Sequence, residues 1–113
     1  MVNSRRVGHN FEREVVDDLR NLGYLNAKTT RNGSRADDVG GVDVQNTRPF
    51  SIQTKRTTNM PNFRKVLSAM PAESTTNINI IFQKNPHQGV IAVTSQRSMY
   101  LLMHVFKEWM RGK

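Results

Sequence analysis

Four residues in this chain combine side chains suited to phosphodiester cleavage with a spacing that a sheet could bring together. Asp43 lies at the start of one strand-like run, and Gln53 and Lys55 lie two residues apart in the next. Residues two apart on a strand point to the same face. A tight turn between the runs would then place Asp43 opposite or diagonal to Gln53. Glu12 lies upstream in a helix-like segment.

Cleavage of a phosphodiester needs activated water and neutralisation of the charge that grows on the phosphate, and a bound metal ion can supply both. Hard cations such as Mg²⁺ prefer oxygen ligands. Asp43, flanked by valines, is a carboxylate that is costly to bury unless it is paired or ligated. Lys55 could position or deprotonate the water, or stabilise the transition state. Asp37 and Asp38, in a polar loop, rank behind Asp43.

Each of these residues also has a plain structural interpretation. Asp43 could be a hydrogen-bonded acid at the edge of a hairpin, and Lys55 could only contact phosphate or solvent. Glu12 lies beside the apolar face of its helix, whereas Glu14 shares a side with other acids, so helical geometry favours Glu12. Its alternative role is that of a first-turn acid stabilised by the helix dipole.

The length of 113 residues predicts one domain, residues 1–113, with one hydrophobic core. The chain has no cysteine, which excludes disulfides and thiolate metal sites. No apolar run approaches the roughly 20 residues of a membrane span. We therefore expect a cytoplasmic protein without a membrane partner.

The net charge of +8 is unevenly distributed. Residues 1–43 carry seven basic and seven acidic side chains, whereas residues 44–113 carry ten basic side chains and only two acids. The excess therefore lies entirely in the later part, and it predicts a polyanionic partner, most simply nucleic acid. A merely solubilising surface is the alternative.

Hydrophobic periodicity and turn residues predict eight elements. The helices are expected at 11–22, 61–70 and 95–110, and the strands at 24–30, 42–46, 49–56, 78–82 and 90–93. The order α-β-β-β-α-β-β-α predicts an α/β (α+β) fold with a central mixed sheet of about five strands flanked by helices.

The closing helix carries apolar residues on more than one face, although a surface helix needs only one apolar stripe. Either the domain buries this helix on two sides, or its second face meets another subunit. The small size of the domain favours the subunit.

Several stretches together resemble the archaeal-type Holliday junction resolvases of the PD-(D/E)xK nuclease superfamily. The stretches are Gly8-His9-Asn10-Phe11-Glu12-Arg13-Glu14, Arg31-Asn32-Gly33-Ser34, Val42-Asp43-Val44 and Gln53-Thr54-Lys55. They span roughly residues 5–57, about half of the chain. The Gly-x-x-x-Glu-Arg-Glu run is the more specific part, because D…(Q/E)xK alone is weak.

The resemblance implies a restriction-endonuclease-like core, and the small size of the chain would suit a phage-encoded version. It implies that Glu12, Asp43 and Gln53 hold Mg²⁺, for which Mn²⁺ could substitute, and that Lys55 is the catalytic lysine. It also implies a homodimer whose two active sites each nick one strand of a four-way DNA junction, in recombination and repair. We expect the DNA to be contacted by Arg5, Arg6, Arg31, Ser34, Arg35, Arg48, Arg56, Arg64 and Lys65.

One departure from the family pattern concerns the metal site. Gln53 stands where the family usually has Glu, which removes one formal negative charge. An amide oxygen can still bind a cation, so we expect an active enzyme with weaker metal affinity. The alternatives are a restriction-like or repair nuclease with another DNA substrate, and an inactive, basic, dimeric DNA-binding module.

Overall fold

The computed structural model describes residues 4–30 and 41–113, with side chains from residue 6 onward. The elements follow the predicted order α-β-β-β-α-β-β-α. They are α1 (Ser4–Asn21), β1 (Lys28–Thr29), β2 (Val44–Gln45), β3 (Phe50–Arg56), α2 (Phe63–Ser68), β4 (Ile78–Asn85), β5 (Gly89–Val93) and α3 (Gln96–Arg111). The fold is α+β.

The five strands form one mixed sheet in the order β1-β2-β3-β4-β5. The β1/β2, β2/β3 and β4/β5 pairs are antiparallel, whereas β3 and β4 are parallel and are joined through α2. This confirms the predicted mixed sheet flanked by helices. β3 lies at the centre of the sheet, so the strand that carries Gln53 and Lys55 has a hydrogen-bonded neighbour on each side.

The main hydrophobic core lies between α1 and one face of the sheet. The apolar stripe of α1 is buried, and it packs against inward residues of β2 and β3 and of the segment before β1. The cluster consists of Phe11, Val15, Val16, Leu19, Ala27, Val44 and Ile52. Because β3 alternates, Ile52 points into this core, while Gln53 and Lys55 point to the other face.

Several predicted element boundaries are wrong. α1 begins at Ser4 rather than at residue 11, because a helix once nucleated extends with one new hydrogen bond per residue. β1 is confined to Lys28–Thr29, since a turn comes first, closed by a 3.0 Å bond from the Ala27 N–H to the Tyr24 carbonyl. β2 ends at Gln45, because Asn46 adopts a left-handed conformation with φ 65°.

α3 begins cleanly but packs little. The Ser95 side chain caps it by accepting a 3.1 Å hydrogen bond from the Ser98 N–H. Ser98 is the only buried residue of this helix. Burial of α3 on two sides within the domain, one of the two sequence-based alternatives, is therefore wrong for the part of the chain that the structure describes.

Among the described helices, none is both long and apolar enough to cross a membrane.

Candidate active site

Asp43 ties three strands together at the residue before β2. Its N–H donates to the Ile52 carbonyl of β3 at 2.7 Å, and its carbonyl accepts from the Thr30 N–H, just after β1, at 2.9 Å. The backbone at this position is thus held from both sides. The carboxylate of Asp43 therefore projects from a fixed position beside β3.

Thr54 holds the Asp43 side chain. Its N–H donates to Asp43 Oδ2 at 2.8 Å, and its hydroxyl donates to the same oxygen at 3.1 Å. Both bonds fall on Oδ2. One oxygen of the carboxylate is therefore fixed by the protein.

The pKa of the Asp43 carboxyl lies above its usual value. The largest cause is burial, which disfavours the charged form, and the negative charge of Glu12 acts in the same direction. The two hydrogen bonds from Thr54 and the positive charge of Lys55 lower the pKa without cancelling the burial. The ionised form of Asp43 is thus disfavoured in the folded protein, and a bound cation would stabilise it.

The electrostatic effects on Asp43 also locate two of its predicted partners. Glu12 on α1 and Lys55 on β3 both lie near enough to act on the carboxyl group. Glu14, the rejected alternative, is exposed and binds Lys84 of β4, with Nζ 2.9 Å from Oε2. Glu14 is therefore an ion-pair residue, and Glu12 is the acid whose charge reaches Asp43.

Gln53 contributes a buried oxygen that has no partner. Within the described residues, Gln53 Oε1 makes no hydrogen bond and is shielded from solvent. Leaving a buried acceptor unpaired costs about 1–3 kcal/mol. A cation or a water molecule bound to this oxygen would remove that cost.

The surroundings of Gln53 Oε1 are tight. Gly41, at φ +70°, lies so close that a Cβ there would be 3.3 Å from the oxygen, and the Met70 side chain is also adjacent to that position. Thr54, which holds Asp43, faces the opposite side of β3 from Gln53. The carboxylate thus meets β3 near the plane of the sheet, and the amide lies on the α2 side.

The donor atoms are of the type that a hard divalent cation prefers, although Gln53 lies on the opposite face of β3 from α1, which carries Glu12. Glu12 and Asp43 supply carboxylates, and Gln53 supplies an orphaned amide oxygen. The described residues contain no group of three or more His, Cys, Asp or Glu side chains suited to a metal. A metal site here would therefore depend on the amide of Gln53 or on bound water as well as on the two carboxylates.

The described residues that were predicted to contact DNA are spread over several elements. Arg48 lies before β3 and Arg56 ends it, so the length of β3, about 20 Å, separates them. Arg64 and Lys65 are exposed on α2, and Arg6 is exposed on α1. The Arg5 side chain and Arg31, Ser34 and Arg35 lie outside the described residues, as do Asp37 and Asp38.

Sequence reasoning missed three residues of this region. Thr54 was given no role, because no local pattern reports that its N–H and hydroxyl bind Asp43. Gly41 lies just after a polar loop without periodicity, and its close approach to Gln53 depends on the folded backbone. Lys84 is the register partner of Arg56 across the parallel pair, a relation that needs the sheet order.

Comparison of the chain with protein-family models, curated proteins and solved structures finds no match.

Replacing the Asp43 carboxylate is expected to stabilise the fold. An acid with a raised pKa favours the neutral form in the folded state, so its contribution to stability falls as pH rises from 3.8 through the raised value. In the presence of a chelator, Asp43→Asn should raise the free energy of unfolding at neutral pH by on the order of 1 kcal/mol. Urea unfolding over a pH series measures this, and the difference from wild type should vanish at low pH.

Asp17→Asn is the matched control, because Asp17 is an exposed acid with only a 3.9 Å contact to Arg20. It should leave the pH dependence unchanged. A gain in stability for Asp43→Asn that persists at low pH would contradict the charge-based explanation.

Adding one methyl group at Gly41 is expected to destabilise the fold. Gly41→Ala would force a left-handed conformation on an L residue and crowd Gln53 Oε1, at a cost of about 1–2 kcal/mol. Gly8→Ala is the control, since its Cβ would meet nothing within 4 Å in α1. That change should stabilise the helix by up to about 1 kcal/mol. Equal effects of the two changes in urea unfolding would refute the close approach.

Proposed function

We propose that this chain is a metal-dependent, structure-selective DNA endonuclease that resolves four-way junctions by paired nicks. The observation that carries the proposal is the environment of the Asp43 carboxylate. It is partly buried, it lies near the charges of Glu12 and Lys55, and Thr54 donates two hydrogen bonds to one of its oxygens. In a purely structural role, an acid is only destabilised by a second acid nearby. In a metal site, the two negative charges together attract the cation, which offsets the repulsion between them.

The residues have distinct roles in this proposal. Glu12, Asp43 and Gln53 bind the cation, Mg²⁺ or Mn²⁺, through oxygen atoms. When bound, such an ion neutralises phosphate charge and lowers the pKa of water. Thr54 keeps Asp43 oriented so that its Oδ1 faces the ligand. Lys55 positions the attacking water or stabilises the charge that develops on the phosphate.

The substrate is assigned from charge and from the sequence resemblance. The basic excess after residue 43 favours a polyanion. Exposed basic residues on α1, at both ends of β3 and on α2 would contact phosphates at several separate points. Nicking two opposed strands needs two active sites, so the proposal includes a homodimer. It also places the chain where DNA is, in the cytoplasm at the nucleoid or in an infected host cell.

A second candidate is a DNA-binding module without catalytic activity. It is favoured by Gln53, which supplies no charge, and by the lack of a three-carboxylate group among the described residues. It predicts affinity for a junction or duplex without a metal-dependent product.

Cleavage of defined DNA substrates tests the proposal. Labelled four-way junction, duplex and single strand are incubated with Mg²⁺, Mn²⁺ or chelator, and the products are mapped at nucleotide resolution. Symmetric paired nicks in the junction alone are expected. Lys55→Ala should lower the rate by about 10²–10⁴-fold, the usual contribution of a positioned acid–base group, without lowering junction affinity by a similar factor.

Lys28→Ala is the control, because Lys28 is an exposed lysine on β1 with no assigned role. It should cleave like wild type. Cleavage of linear duplex would instead indicate a restriction-like or repair nuclease, and binding without cleavage would indicate the inactive module.

The metal requirement tests Gln53 separately. Gln53→Glu adds a negative charge where the orphaned oxygen lies, so half-maximal cleavage should need roughly tenfold less Mg²⁺, a gain of about 1.4 kcal/mol in metal binding. Gln88→Glu, in the exposed turn before β5, controls for added charge alone. An unchanged Mg²⁺ requirement for Gln53→Glu would count against Gln53 as a ligand.

A further inference from the structure

α3 exposes an apolar surface that the described part of the domain leaves uncovered. Only Ser98 of its sixteen residues is buried. Phe106 is 61% exposed and Trp109 is 54% exposed. The large exposed hydrophobic residues of this helix are Met99, Tyr100, Met103, Val105, Phe106, Trp109 and Met110.

Most of these side chains share one face. At 3.6 residues per turn, Met99, Leu102, Phe106 and Trp109 follow the alternating three- and four-residue spacing of one helical stripe. Met103, Val105 and Met110 widen this stripe. The term "α3 stripe" is used below for these seven residues.

The polar residues of α3 lie on the opposite arc. Gln96, Arg97, His104, Lys107, Glu108 and Arg111 all fall there, so no charged residue of α3 lies within the α3 stripe. Tyr100 also lies on this arc, between Lys107 and Arg111. Its hydroxyl accepts a 3.1 Å hydrogen bond from Gln96, as expected for a ring at a wet surface.

An exposed helix of this composition needs a partner. Isolated helices shorter than about 12–15 residues are marginal in water even for Ala-rich sequences, and packing of an amphipathic face supplies most helix stability in proteins. The domain supplies little such packing to α3: Ser98 donates to Glu73 at 3.1 Å in the first turn, and Leu101 and Leu102 are half-buried. The rings of Phe106 and Trp109 contact each other at 5.7 Å between centroids, and Lys113 Nζ lies 4.4 Å from the centroid of the Trp109 ring. Both rings remain more than half exposed.

We propose that the α3 stripe is the self-association surface of the chain and packs against the α3 stripe of a second copy. Its exposed side chains amount to on the order of 700 Å², close to the roughly 800 Å² that each partner buries in a standard interface. The area that the α3 stripe exposes is therefore close to what a stable dimer requires.

Self-pairing also suits the chemistry of the stripe. An interface between identical surfaces requires a patch that is complementary to itself. The side chains of the α3 stripe are themselves uncharged, so they create no like-charge repulsion when the stripe meets its own copy; the nearest charge is Lys113 Nζ, 4.4 Å from the Trp109 ring centroid at the end of the stripe. Flexible methionines lie beside the two aromatic rings, so the side chains can adjust to one another. The surface assigned here would serve the homodimer of the proposed function, but it rests only on the residues of α3.

The test compares two equally exposed rings on one helix. Phe106 and Tyr100 are each 61% exposed, but only Phe106 belongs to the α3 stripe. Sedimentation equilibrium of the full chain, without DNA or metal, should give twice the 12.9 kDa monomer mass at high concentration. Phe106→Ser should raise the dimer dissociation constant by about tenfold or more, whereas Tyr100→Ser should leave it unchanged.

Trp109 provides a second readout that needs no variant. It is the only tryptophan of the chain, and pairing of the stripes would bury it. Its emission should shift to longer wavelength as the wild type is diluted through the dissociation range. This measurement decides the question even if Phe106→Ser fails to fold, which far-UV circular dichroism would reveal.

Three outcomes would overturn the proposal. A wild type that stays monomeric at all concentrations would refute self-association. Equal weakening by Phe106→Ser and Tyr100→Ser would move the interface away from the stripe. A monomer that sediments with vesicles of phosphatidylcholine and phosphatidylglycerol would assign the stripe to a lipid surface. None of these depends on cleavage, so a failed nuclease assay leaves the result intact.

Discussion

The bond between Thr54 and Asp43 is the constraint on which the candidate site depends. The backbone of Asp43, just before β2, bonds to Thr30 after β1 and to Ile52 in β3. The two donors of Thr54 fix the orientation of its carboxylate. One main-chain N–H and one hydroxyl fix a single oxygen. The same bonds favour the charged form of an acid that burial and Glu12 push toward neutrality.

Three features that lower the stability of the fold lie in this region. Asp43 is an acid with a raised pKa, Gln53 Oε1 is a buried acceptor without a partner, and Gly41 adopts a left-handed conformation beside it. Each feature costs stability on its own. Such features are often found where a ligand relieves them, and the proposed function assigns these three to a binding site.

The sequence predicted the order of elements because its periodicities were strong. The same periodicity predicted burial of Phe11, Val15, Val16 and Leu19, but it also included Leu22, which is exposed because it lies just after the end of α1. It also separated Glu12 from Glu14 correctly in position, since helical geometry alone decides which acid flanks the buried stripe. The start of α1 and the length of β1 were not predicted from the sequence, because helix extension and a local turn depend on hydrogen bonds rather than on hydropathy. The role of Thr54 required the relative position of two strands, which no single-strand pattern contains.

The attachment of α3 at its first turn has a mechanical consequence. A helix of sixteen residues is about 24 Å long, so a rotation of about 10° at the Ser95–Ser98 turn would move its far end by about 4 Å. A small rotation at this turn would therefore be amplified along the length of the helix. Small adjustments near Glu73 would change the orientation of whatever is joined to the α3 stripe, while β3 and the residues around Asp43 stay in place.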